Sequence, residues 1–109
     1  MALHRIEFDL TPSEGWRAVA AAWSHTGVPG SGDLEVLIRR REEAAVHVVI
    51  TTPVTGFDPL WKAVVTKAVH DGRIGAVGIE INDNNATPFV ASTRLRQAFS
   101  QAREGGGTL

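Results

Sequence analysis

The chain has 109 residues, 43% of them hydrophobic and 21% charged, with a formal net charge of −1. These values predict one soluble globular domain and leave no basic surface for nucleic acid or a membrane surface. The absence of cysteine excludes a disulfide framework, a thiolate metal site and cysteine catalysis. No apolar run has the length of a signal peptide or a bilayer span, so we expect a cytoplasmic protein that binds neither membrane nor nucleic acid.

Alternating apolar residues predict three strands with one buried face in the first half of the chain. They cover residues 4–10, 34–38 and 46–50. A short polar loop joins the second strand to the third, which predicts that these two pair as a β-hairpin. Residues 16–24 are rich in alanine and fit either a short helix or an irregular strand.

The second half of the chain predicts a helix, a strand and another helix. Asp58 is the predicted N-cap of the first helix, and Gly72 is predicted to end it in the left-handed conformation. Trp61 falls on its apolar stripe and is expected in the core. A strand over residues 77–81 then implies a right-handed crossover between parallel neighbours. Thr87 and the proline after it begin the last helix.

These elements predict a two-layer α+β fold. Its mixed sheet has about four strands, with a β-hairpin, a βαβ crossover and a C-terminal helix. We expect one domain over residues 1–104 and a mobile tail at residues 105–109, where three glycines follow one another.

The stretch Gly30, Ser31, Gly32 and Asp33 precedes the second strand. Its residue types are ordinary for a turn at that position. The two glycines leave the Ser31 hydroxyl open to a large group, and no histidine or cysteine lies beside it to activate it. The hydroxyl therefore suits modification by another enzyme better than attack on a substrate.

Other polar residues offer weaker candidates for chemistry. Asp83 can act as an acid or base, but an aspartate among asparagines more often ties down a turn through its own backbone. The four histidines are scattered, with no i, i+4 pair, so we expect no metal site. His25 and His47 are the only candidate bases for Ser31. The residues alone therefore indicate a small domain with an open serine and no catalytic machinery.

Two stretches taken together resemble a known family. They are Gly-Ser-Gly-Asp-Leu-Glu-Val-Leu at residues 30–37 and Ile-Asn-Asp-Asn-Asn-Ala-Thr-Pro at residues 81–88, followed by Arg-Leu-Arg-Gln-Ala at 94–98. The chain resembles the acyl carrier (delta) subunit of biotin-independent malonate decarboxylase over roughly residues 27–103. The main departure is asparagine at positions 84 and 85, where family members usually have a glycine in one of the two places.

The resemblance implies a role for Ser31. In that family the matching serine carries 2'-(5''-phosphoribosyl)-3'-dephospho-CoA through a phosphodiester. The remaining members of the motif, Gly30, Gly32 and Asp33, would then be the supporting loop. Asn82 and Asp83 would belong to a second loop that shapes the turn or contacts a partner.

The resemblance also implies a non-catalytic subunit whose prosthetic thiol bears acetyl or malonyl. Its partners would be the acyl-transferase (malonyl transferase) and carboxy-lyase subunits and a prosthetic-group transferase, without which the apo form is expected. Three alternatives stay open at this point. They are a citrate lyase-type acyl carrier, a small hydrolase that uses Ser31 with Asp33 or His47, and a structural subunit with an unmodified serine.

Overall fold

The computed structural model describes residues 3–105, and the apolar alternation of the sequence reappears there as strands with one buried face. Five strands form one mixed sheet, and two helices pack on one side of it. The strands are β1 (His4–Leu10), β2 (Trp23–Gly27), β3 (Asp33–Arg40), β4 (Val46–Thr52) and β5 (Val77–Asn84); the helices are α1 (Asp58–Gly72) and α2 (Pro88–Arg103).

The strand order across the sheet is β1-β4-β5-β3-β2. β4 and β5 are parallel neighbours joined through α1, which confirms the predicted βαβ unit. The other three pairs are antiparallel. The α+β class is therefore confirmed, with five strands in place of about four.

The predicted hairpin between β3 and β4 is wrong, because β5 lies between these two strands and pairs with both. Alternation shows which face of a strand is buried, but not which strand lies beside it. The hairpin is instead formed by β2 and β3, joined by residues 28–32. The sequence did not reveal β2 because two of its inward side chains, Ser24 and Thr26, are polar.

The core lies between the sheet and the helices. The sheet contributes Ile6, Leu10, Leu34, Val36, Ile38, Val46, Val48, Ile50, Val77, Ile79 and Ile81, and the helices contribute Trp61, Val65, Ala68, Val69, Ala91, Leu95, Ala98, Phe99 and Ala102. Trp61 is buried as predicted. The alternate side chains of the strands point to the other side of the sheet, which we call the open face.

The ends of α1 differ from the prediction. Phe57 is the N-cap and gives no side-chain cap, while Asp58 is already helical. The Asp58 carboxylate pairs instead with His4 Nε2 at 2.8 Å. At the other end, Arg73 and not Gly72 takes the left-handed conformation, with φ of 52°. A Cβ at Gly72 would lie 3.1 Å from the Phe99 ring, so this glycine serves the close approach of α2.

The start of α2 agrees with the prediction. Thr87 is its N-cap, and its side-chain hydroxyl accepts a hydrogen bond from the backbone N–H of Val90 at 3.2 Å. The proline that follows occupies the first turn, where a missing N–H costs nothing.

Residues 11–22 cross the end of the helical layer without regular structure, so the helical interpretation of 16–24 is wrong. One parallel bridge joins Arg17 to Ile74. The Trp16 ring packs on Gly75, where a Cβ would overlap it. Arg103 donates to the carbonyls of Gly72 and Arg73 and so ties the end of α2 to the end of α1.

Neither helix within residues 3–105 is long and apolar enough to cross a membrane. The predicted tail falls outside the described residues except for Gly105. That glycine closes the turn after α2 with φ of 74°.

Candidate functional site

Ser31 lies in a tight turn at the tip of the β2–β3 hairpin. The N–H of Asp33 donates to the carbonyl of Gly30 at 2.9 Å, which closes a four-residue turn. Gly32 occupies its third position with φ of 73°, the left-handed value that a type II turn requires there. Ser31 is exposed, and its hydroxyl makes no hydrogen bond to another residue between 3 and 105.

The glycines on both sides of Ser31 face open space. A Cβ built on Gly32 meets no atom within 4 Å, and one built on Gly30 meets only a Val28 methyl at 4.0 Å. The two glycines therefore have separate roles. Gly32 permits the backbone angle, and Gly30 keeps the flank of the turn bare.

The turn is anchored to the end of β5. The Gly32 N–H donates to the Asn84 carbonyl at 2.8 Å, and the Asn84 side chain donates to the carbonyl of Pro29 at 3.3 Å. On the other side, Gly27 ends β2 with φ of 82°, and a Cβ there would overlap the carbonyl oxygen of Leu34. The backbone on both flanks of Ser31 is thus held in place.

Asp33 is clamped by Arg94 of α2. The guanidinium donates through Nε to Oδ1 at 2.9 Å and through Nη2 to Oδ2 at 2.7 Å. The N–H of Leu34 also donates to Oδ1 at 2.7 Å. The Arg94 hydrogen bonds, helped by that N–H, hold the pKa of Asp33 at about 2, and in return the pKa of Arg94 is raised. Both oxygens of Asp33 are therefore engaged in holding the turn.

Sequence reasoning missed Arg94 as a member of the site. It lies 61 residues from Asp33, and no spacing or periodicity connects the two. The only available signal was its place in the Arg-Leu-Arg-Gln-Ala stretch that carried the family resemblance.

Asp83 builds the neighbouring turn from within. It accepts hydrogen bonds from the hydroxyl of Thr52 at 2.8 Å and from the N–H groups of Asn85 at 3.1 Å and Ala86 at 2.9 Å. Asn85 adopts the left-handed conformation with φ of 68°, which asparagine tolerates. Asp83 is buried and both its oxygens are in use, so its carboxylate holds the turn together.

Asn82 lies away from Asp83, on the open face. Its amide donates to Glu35 Oε1 at 2.7 Å, and His25 Nε2 lies 2.7 Å from Glu35 Oε2. The pairing with His25, and with it the Asn82 hydrogen bond, lowers the pKa of Glu35. The two residues predicted as one loop therefore have different environments.

Within residues 3–105, the histidines and the aspartate proposed to assist Ser31 are paired with other residues. His47 is the second residue of β4, with Nδ1 2.6 Å from Asp9 and Nε2 2.9 Å from Glu7. His25 is held against Glu35, and Asp33 is held by Arg94. Among residues 3–105 there is no cluster of three histidine or carboxylate side chains able to hold a metal ion.

Comparison with known proteins gives one consistent result. Residues 22–102 match the family described as "Malonate decarboxylase delta subunit (MdcD)". The chain is 54% identical over 80 residues to the malonate decarboxylase acyl carrier protein of Malonomonas rubra, covering 72% of this chain and 71% of that protein. Identity to the Burkholderia cepacia protein of the same name is 37% over 99 residues, covering 91% of this chain and 90% of that one.

A solved structure extends the likeness to the fold. One chain of a crystal structure of a Pseudomonas malonate decarboxylase hetero-tetramer in complex with malonate superposes with a TM-score of 0.73 at 30% identity. The match covers 94% of this chain and 99% of that chain.

Proposed function

We propose that Ser31 bears the prosthetic group of this chain, which belongs to the malonate decarboxylase acyl carrier (delta subunit) family. The protein is a carrier subunit and not a catalytic one. The proposed group is 2'-(5''-phosphoribosyl)-3'-dephospho-CoA, joined to the Ser31 oxygen as a phosphodiester.

The main support for this proposal is the exposed Ser31 hydroxyl, which makes no hydrogen bond to another described residue and lies between two glycines without side chains. A nucleotide-sized substituent needs an exposed oxygen with no internal hydrogen bond to break, and empty space beside the backbone. Ser31 offers both, since Gly30 and Gly32 present no side chain to a donor or to an enzyme cleft. The residues present thus fit the attachment of a large group.

The attachment step requires no base from this chain. The Ser31 oxygen forms the new P–O bond to an activated phosphoryl donor bound by the prosthetic-group transferase. The donor's leaving group departs, and the hydroxyl proton passes to a base of that enzyme. This division fits the absence of a base in hydrogen-bond contact with Ser31 among residues 3–105.

The chain's own residues present the attachment point. Gly32 sets the backbone angle of the turn, while Asp33 and Arg94 join it to α2 and Asn84 joins it to β5. When bound, the group supplies a thiol that carries acetyl and malonyl as thioesters. A rigid base for this arm raises the effective concentration of thioester at each partner site.

The partners that follow from this function are the acyl-transferase and carboxy-lyase subunits of malonate decarboxylase, with the prosthetic-group transferase as a transient one. The hetero-tetramer in which the Pseudomonas relative was solved supports an assembly with other subunits. The setting proposed for this assembly is the cytoplasm. The match to the malonate decarboxylase family favours this role over a citrate lyase-type carrier.

Intact mass spectrometry tests the proposal. The protein is co-expressed with and without the cognate prosthetic-group transferase, as wild type, Ser31→Ala and Ser100→Ala. Ser100 is another exposed serine, on α2, and serves as the matched control. We expect the mass of one phosphoribosyl-dephospho-CoA to be added to wild type and Ser100→Ala and to be absent from Ser31→Ala.

The proposal fails if the wild type stays unmodified beside an active transferase. It also fails if Ser31→Ala is still modified. An unmodified wild type would leave the structural-subunit alternative in its place.

A further inference from the structure

A cleft of about 300 Å³ opens at the carboxyl ends of the parallel strands β4 and β5. It lies between the starts of α1 and α2, the position outside parallel strand ends where α/β proteins commonly bind ligands. Apolar side chains form most of its wall: Val54, Leu60, Trp61, Val64, Ala86 and Ala91.

The polar part of the cleft is small. At its floor, Thr52 and Asp83 are hydrogen-bonded to each other and have little to offer a charged ligand. At its rim, Asn85 is exposed and its carboxamide holds both a donor and an acceptor. Two large apolar side chains at the mouth, Phe57 and Leu60, are 50% and 43% exposed. This composition suits a slender, mostly apolar ligand that contains amide groups.

The cleft and the Ser31 turn share one end of the molecule. Asn85 lines the cleft, and the residue before it accepts the hydrogen bond from Gly32, the residue after Ser31. Backbone dimensions then put Ser31 and Asn85 on the order of 10 Å apart.

A second depression, of about 640 Å³ on the open face, is less suitable. Its lining residues on β3 and β5, Leu37 to Arg39 and Gly78 to Glu80, lie four to six positions along these strands from Asp33 and Asn84. At the rise of a strand this is about 13–20 Å from the Ser31 turn. Its rim also carries the charges of Arg41 and Glu80.

We propose that the cleft between α1 and α2 receives the pantetheine-thioester end of the group borne by Ser31 between its visits to partner subunits. The proposal rests on the attachment proposed above. The ligand class is a chain of methylene and amide units ending in a short acyl thioester. This docking is weak, because the pantetheine-thioester end must leave the cleft to reach each partner subunit.

Methyl NMR of the acetylated holo-protein against the apo-protein tests the proposal, with intact mass recorded on the same samples. We expect the methyl signals of Leu60, Ala86 and Ala91 to shift on loading. The signals of Leu37 and Val49, which line the open-face depression, serve as the internal control and should not move.

A thiol-protection measurement gives a second readout on the deacylated holo-protein. Maleimide should react roughly threefold more slowly with the docked thiol than with free coenzyme A, and Leu60→Gln should remove most of that protection. Trp23→Gln is the matched control, since Trp23 is 53% exposed and lies away from the cleft.

The outcomes separate the two proposals. A correct mass gain with unmoved cleft methyls, or with shifts at Leu37 and Val49 instead, overturns the docking and leaves the attachment standing. Equal maleimide rates for Leu60→Gln and wild type also overturn the docking. The absence of any mass gain overturns both.

Discussion

Two turns lie side by side at one end of this sheet, and they are built in opposite ways. The turn after β5 is organised from inside, by the buried Asp83 carboxylate that receives its backbone N–H groups. The Ser31 turn is organised from outside, by Asp33 reaching to Arg94 and by Gly32 reaching to Asn84. One turn uses its polar side chain to hold itself, and the other leaves its polar side chain free.

The difference shows how a chain can present a rigid but chemically unoccupied residue. If Ser31 held its own turn, as serine commonly does, a substituent on its oxygen would break the hydrogen bonds that define the loop. Here the neighbours hold the loop, and modification costs it no internal contact. We expect substitutions in the two turns to differ accordingly.

The largest effect should come from Asp83→Ala. It removes the acceptor for three donors in a buried site, so the free energy of unfolding should fall by about 3 kcal/mol. Urea denaturation measures the loss. Asn84→Ala, which removes one exposed hydrogen bond of 3.3 Å, is the control and should cost less than about 0.5 kcal/mol. Equal losses in both variants would contradict the internal organisation of this turn.

A smaller effect is expected from Gly32→Ala in the Ser31 turn. The new methyl group meets no atom, so the cost is only that of the left-handed backbone, about 1–2 kcal/mol. Gly30→Ala introduces the same methyl group where φ is not positive and should raise the stability by about 0.4–1 kcal/mol, because the unfolded chain loses conformational freedom. A loss for Gly30→Ala as large as that for Gly32→Ala would show that the two glycines do not divide their roles in this way.

The smallest effect on stability is expected from the ion pair of Asp33 and Arg94 at acid pH. Arg94, helped by the Leu34 N–H, lowers the pKa of Asp33 from 3.8 to about 2, so the pair stabilises the fold fully above pH 4, and this stability is lost as the pH falls through 2. The side chains of Arg94 and Asp33 are about a third and a fifth exposed, respectively, which limits the contribution of the pair to the free energy of unfolding to about 1 kcal/mol. The stability difference between wild type and Arg94→Ala should therefore shrink from about 1 kcal/mol at pH 6 to a small fraction of that value at pH 2.

Arg96→Ala is the control for this measurement, because Arg96 is an exposed arginine two residues away on the same helix. A difference between wild type and Arg94→Ala that is the same at pH 6 and pH 2 would contradict the clamp.

The same two turns show what the sequence could and could not predict. The two backbone N–H groups that donate to Asp83 lie two and three positions ahead of it, so local composition was enough to predict the turn, although not the hydrogen bond from Thr52. The pair of Asp33 and Arg94 joins residues brought together only by the packing of α2 on the sheet. No local pattern encodes such a contact.

The predicted hairpin of β3 and β4 failed for the same reason, whereas the parallel pair of β4 and β5 was predicted correctly. Alternation in β3 and β4 described their buried faces correctly, but their closeness in sequence suggested a hairpin that β5 separates. β2 was missed because Ser24 and Thr26, which point inward, break the apolar pattern. The place of a strand in the sheet depends on long-range packing, and the alternation of apolar residues within the strand does not predict it.

Because β5 lies in the centre of the sheet, the five-stranded sheet cannot form during synthesis until β5 has been made. Before β5 emerges from the ribosome, only two separate pairs of strands can form, β1 with β4 and β2 with β3. A two-stranded pair is at best marginally stable by itself. The anchors of the Ser31 turn come later still, at Asn84 and Arg94. The Ser31 turn therefore takes its shape only after the chain has been made as far as Arg94, 63 residues beyond Ser31.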